Sequence, residues 1–104
     1  MNRIEILKGF LKDSPNDPFS RYALALEYVK IGQNDDALRE FETVRTNDPD
    51  YLATYFHLGQ LYQTLGRRHE AEKTLRTGIT VAAKAGDDHT RGELEGALEA
   101  LLSA

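Results

Sequence analysis

The sequence contains no cysteine and no tryptophan, only three prolines and one methionine. Without cysteine there is no disulfide frame, no thiolate nucleophile and no cysteine-ligated metal, so stability has to come from packing. Long apolar runs are also missing. No stretch approaches the length of about 20 residues needed to span a bilayer, and Met1 to Lys8 offers too little for a signal-peptide core. A soluble, cytoplasmic protein with no membrane partner is therefore expected. Positive charge is in deficit, 13 lysines and arginines against 17 acidic residues, for a net charge of -4 and a pI near 5.3. Binding that neutralises many phosphates is disfavoured by such a balance, so no nucleic-acid partner is expected. With 104 residues the chain has room for one domain with a modest core.

What is present is a repetition. Tyr22 and Phe56, Leu24 and Leu58, Ala25 and Gly59, Tyr28 and Tyr62, Gly32 and Gly66, Ala37 and Ala71, and Phe41 and Leu75 each stand 34 positions apart. Large, small and turn residues recur together, which is the signature of a stacked array whose units cannot bury their apolar faces alone. Within each copy the apolar spacing is helical. Pro18 opens a first helix that Gly32 ends. Asn34 or Asp35 is expected to cap a second, with Ala37, Leu38, Phe41 and Val44 on its inner face. The second copy predicts a helix over about 51–65, a turn at Gly66 and a helix over about 69–84.

The flanks fit the same register. Ile4, Leu7, Phe10 and Leu11 predict a helix over 3–13. Leu7 takes the place of Phe41, and Pro15 that of Pro49, so this helix reads as the second half of a repeat without its first half. After Gly86 the period slips. Thr90 and Glu93 have the spacing of a capping box, and Leu94, Ala97, Leu98, Leu101 and Leu102 form a stripe expected to cover the end of the stack. Gly92 and Gly96 are expected to pack closely on the preceding helix. The organisation expected is a single all-α domain, 1–104, of about six helices: a half-repeat (1–17), two repeats (18–51 and 52–85) and a capping helix (86–104).

This pattern closely resembles the tetratricopeptide repeat family, on Leu24, Ala25, Tyr28, Gly32, Ala37, Phe41 and Pro49 in the first copy and Tyr55, Leu58, Gly59, Tyr62, Gly66, Ala71 and Leu75 in the second. Arg21 stands where the family has a large aromatic, Gly78 where it has alanine, and Ala83 where it has proline. The resemblance implies a right-handed superhelical solenoid of helical hairpins that acts as a scaffold, holding a peptide or helix of a partner protein in a concave groove. On these positions the groove would show Phe19, Tyr22, Ala23, Leu26, Val29 and Lys30, then Phe56, His57, Gln60, Gln63 and Thr64. A subgroup of the family clamps a C-terminal carboxylate with lysines, asparagines and arginine. Tyr22, Leu26 and His57 replace those residues, so that ligand is not expected. An apolar first half and a polar second half suit an amphipathic segment, or another copy of the chain.

No enzymatic constellation accompanies the repeats. There is no serine–histidine pair or carboxylate pair on a recognisable framework, and no glycine-rich loop precedes a lysine in the way a phosphate cradle requires. His57, His69 and His89 have no ligand-spaced companions, so neither metal nor cofactor is expected. The acidic pairs Asp35–Asp36, Asp48–Asp50 and Asp87–Asp88 fall at helix boundaries and read as caps. Residues 18–51 carry four basic and seven acidic side chains, 52–85 five and two, and 86–104 one and five. Arg67, Arg68, Lys73, Arg76 and Lys84 thus form a basic band, a solvated face by default and otherwise a surface for an acidic end of a second copy. Self-assembly as a homodimer through the groove or a repeat edge is the alternative to a foreign partner.

Overall fold

A computed structural model describes residues 1–104. It is all-helical: α1 (Arg3–Asp13), α2 (Pro18–Lys30), α3 (Asn34–Asn47), α4 (Ala53–Thr64), α5 (Arg68–Ala85) and α6 (Asp88–Leu102). The helices fall into two units, Met1–Tyr51 and Leu52–Ala104. None of them is long and apolar enough to cross a membrane.

In the first unit α2 packs on α1 and α3. Its core is Leu7, Ala23, Leu24, Ala25, Tyr28, Ala37, Phe41 and Val44. Ala25 and Ala37 are fully buried, and their small side chains let the two helix backbones approach. The hairpin turn is set by Gly32 at φ 77°, a conformation that glycine adopts without a Cβ penalty. There the Gln33 amide donates to the Tyr28 carbonyl at 2.9 Å, and the Arg67 amide donates to the Tyr62 carbonyl at 2.8 Å in the equivalent turn beyond Gly66. Arg21 occupies the family's aromatic position by ionic means. Its guanidinium meets Glu40 on α3 at 2.6 Å and donates to the Pro15 carbonyl at 2.9 Å, tying α2 to α3 and to the turn that precedes it.

In the second unit α5 lies between α4 and α6, and α6 also touches α4. Tyr55, Leu58, Leu75, Leu94 and Leu101 are almost completely buried. Each such side chain contributes roughly 1.5–3 kcal/mol on burial, and Tyr55 fills the space that Arg21 bridges with charge in the first copy. The close approaches here are at glycine. A Cβ on Gly59 would stand 2.7 Å from Leu75 Cδ2, and one on Gly78 would stand 2.6 Å from Tyr55 Cβ and 3.0 Å from Leu94 Cδ1. Even the alanine that the family has at this position would therefore be too large.

Several details differ from the sequence reading. Tyr51 and Leu52 lie in the turn before α4, which begins at Ala53. The cap of α3 is Gln33 rather than Asn34 or Asp35, and it makes no side-chain capping bond. Asp48 stands at the C-terminal end of α3, where a carboxylate caps no amide. For α6 the cap is Asp87, which accepts from the Thr90 amide at 3.0 Å and the Thr90 hydroxyl at 2.8 Å. The capping pair is thus Asp87 with Thr90, not Thr90 with Glu93. Gly92 and Gly96 face open space instead of packing on α5. Phe10 and Leu102, expected inside, are 55% and 47% exposed.

Candidate interaction surfaces

On α2 the expected contact residues Phe19, Tyr22, Leu26, Val29 and Lys30 recur at helical spacing along one side, but the structure gives them different roles. Phe19 and Val29 are 59% and 41% exposed. Leu26 is half-buried. Tyr22 is half-buried too, with its ring 6.1 Å from that of Phe41 and 5.6 Å from that of Tyr51. These separations are in the range of stabilising tilted aromatic contacts, so Tyr22 supports the fold as well as bordering the surface. Burial pushes its phenol pKa above the ordinary value of 10.0, with the neighbouring Tyr51 adding to the effect. Ala23, expected on the surface, is buried in the core. Lys30 is paired with Glu27 at 2.9 Å, and Glu27 also receives Arg3 of α1 at 3.5 Å.

On α4 the surface is polar. Gln60, Gln63 and Thr64 are exposed, while Phe56 and His57 are half-buried with rings edge-on at 5.5 Å. Burial lowers the His57 pKa below 6.5, against an opposing pull from Glu93. The lowered pKa favours the neutral imidazole at pH 7, which offers one hydrogen-bond donor and one acceptor rather than a charge. Glu93 is a neighbour that sequence reasoning missed: it lies on α6, outside the repeat register, and had been assigned to a cap. The side chains on this face include hydrogen-bond donors and acceptors but no acid, base and nucleophile set, and no group of three histidines or carboxylates in the protein could hold a metal.

Two further surface features lie in the second unit. His69, Glu72, Lys73, Arg76 and Thr77 line a hollow of about 290 Å³ on α5, where Arg76 already pairs with Glu72 at 3.0 Å. Part of the basic band is thereby neutralised within its own helix. Between α5 and α6 runs a larger furrow of about 390 Å³, lined by Ile79, Leu98 and Leu102 together with Arg76, Glu95 and Glu99.

Paired helices joined through glycine turns, with small residues where their axes meet, define a helical-hairpin repeat protein. The tetratricopeptide repeat profile matches residues 28–87, and the chain belongs to the tetratricopeptide repeat family. It is similar to a tetratricopeptide repeat domain protein of Salinibacter ruber, with 42% identity, 84% of this chain and 97% of that one covered, and a TM-score of 0.80. A protein from Bordetella parapertussis aligns over 99% of this chain and 90% of its own at 26% identity, with a TM-score of 0.84. The TPR2B domain of yeast Sti1, solved as a complex with pHsp70, has the same fold at 15% identity, with 96% and 80% covered and a TM-score of 0.89. Comparison with curated protein sequences returns no match.

Proposed function

We propose that this protein is a binding module that takes up a peptide or helical segment of another protein, with α2 and α4 each offering an exposed side for contact. The observation that carries this reading is the pair Phe19 and Val29, large apolar side chains held 59% and 41% exposed on the first helix of a repeat. Family membership and the fold shared with a domain solved in complex with another protein support it. The α2 side offers Phe19, Leu26 and Val29 beside Lys30, and the α4 side offers Phe56, His57, Gln60 and Gln63. Taken by itself, the α2 side suits apolar residues of such a segment, and the α4 side suits polar ones.

Peptides selected from a displayed random library against the full chain provide the ligand for a test by calorimetry. Phe19→Ser with Val29→Ser, and separately Gln60→Ala with Gln63→Ala, are expected to weaken binding at least ~10-fold, about 1.4 kcal/mol, with unchanged far-UV circular dichroism. Tyr22→Ala is a poor probe because its ring packs on Phe41 and Tyr51. Selected peptides that bind all these variants as tightly as the parent would overturn the reading.

A further inference from the structure

The first helix carries an apolar face that no other part of the chain covers. Ile6 and Phe10, one turn apart, are 40% and 55% exposed. Their counterparts two repeat lengths on are Thr74 and Gly78 of α5, both buried. The reason is visible at Gly78, which lies against Tyr55 of the preceding helix and Leu94 of the following one. Helix α1 packs on α2 and leaves Ile6 and Phe10 exposed. The mirror situation holds at α6, which packs on α5 and α4 and leaves the furrow of Ile79, Leu98 and Leu102 open.

From these two half-complete surfaces we infer that copies of this chain associate head to tail. Helix α1 of one copy lies in the α5/α6 furrow of the next, and Phe10 and Ile6 enter against Leu98 and Leu102. A second copy is the occupant that the charges favour. Within Arg3–Asp13 there are three basic and two acidic residues, whereas Asp88–Leu102 has one basic and four. Arg3, 62% exposed although within 3.5 Å of Glu27, stands two turns from Phe10 on the same side of α1, and Glu95 and Glu99 line the furrow with one basic residue, Arg76, which is paired with Glu72. The joined helices form a hairpin of which each copy supplies half. Because the two faces differ, each copy retains a free face after joining, and growth does not stop at a dimer unless a ring closes. This does not rest on the binding reading above, since neither face uses a residue proposed there.

The test is the weight-average mass of the full chain by sedimentation equilibrium, from micromolar to about millimolar concentration. The expected result is a mass that climbs beyond twice 11.7 kDa. Phe10→Glu and Leu102→Glu alter exposed side chains, and each alone is expected to remain monomeric with unchanged circular dichroism. An equimolar mixture of the two retains one good face of each kind and is expected to give a heterodimer that grows no further. Arg3→Glu is expected to weaken assembly, and Glu95→Lys with Glu99→Lys in the same chain to restore it. A parent protein that stays monomeric at the highest concentration, or stops at a dimer, overturns the proposal. So does a mixture that remains monomeric while the parent assembles.

Discussion

At the level of single residues, the two copies solve the same packing problem with different chemistry. Position 21 uses an arginine, held by Glu40 and the Pro15 carbonyl. Position 55 uses a tyrosine, which stays buried because Gly78 makes room for it. Replacing a helical glycine by alanine ordinarily stabilises by about 1 kcal/mol. At Gly78 the new methyl would meet Tyr55 Cβ, an atom fixed to the α4 backbone, so the helices must separate. Overpacking of that kind costs about 1–3 kcal/mol. Gly78→Ala is therefore expected to lower the denaturant midpoint. At Gly59 the obstruction is Cδ2 and Cγ of Leu75 at 2.7 and 2.9 Å, side-chain atoms that can yield further than a Cβ, and Gly59→Ala is expected to cost less than Gly78→Ala. A Gly78→Ala protein more stable than the parent would mean that α4 and α5 lie further apart than described. Ser20 and Thr54 differ in a similar way. Ser20 donates to Asp17 at 2.5 Å, whereas the equivalent Thr54 hydroxyl is fully buried without a partner, and the residue three positions before it is Tyr51 rather than a carboxylate.

At the level of elements, the loss of register after the second repeat has a local cause. Helix α3 ends at Asn47, two residues before Pro49, while α5 passes through the equivalent Ala83 and stops only at Gly86, which has φ 71°. An alanine in place of proline thus lengthens α5 to 18 residues against 14 for α3, and α6 begins out of step. Ala83→Pro would remove the amide at 83 and press the ring against the carbonyl of Ile79, at a cost of ~3 kcal/mol. It is expected to unwind the end of α5 and lower the thermal midpoint. An unchanged midpoint and helix content would refute this account of the slip. Helix existence was legible in the sequence because Leu24 and Leu58, Gly32 and Gly66, and Ala37 and Ala71 repeat both identity and role. The surfaces were less legible. Phe10 has the spacing of a core residue and is nevertheless exposed, while Tyr22 meets Tyr51, which lies in the irregular stretch after α3. The partner of His57, Glu93, lies on a helix outside the repeat period.

At the level of the whole molecule, no disulfide strengthens the fold, and small domains have little stability in reserve. Head-to-tail association acts directly on that reserve. Folded copies present both half-surfaces and unfolded chains present neither, so assembly stabilises the folded state by mass action. Where association approaches saturation, a tenfold rise in concentration adds up to about 1.4 kcal/mol for each contact. For a chain of this size 1 kcal/mol moves the thermal midpoint by about 4–8 °C. The parent midpoint is accordingly expected to rise by several degrees for each tenfold increase above the association range, and that of Phe10→Glu to remain constant. The comparison is internal because Phe10 is largely exposed, and its replacement removes the contact without opening a cavity. Equal midpoints at every concentration in both proteins would show that α1 contributes no stabilising contact between copies.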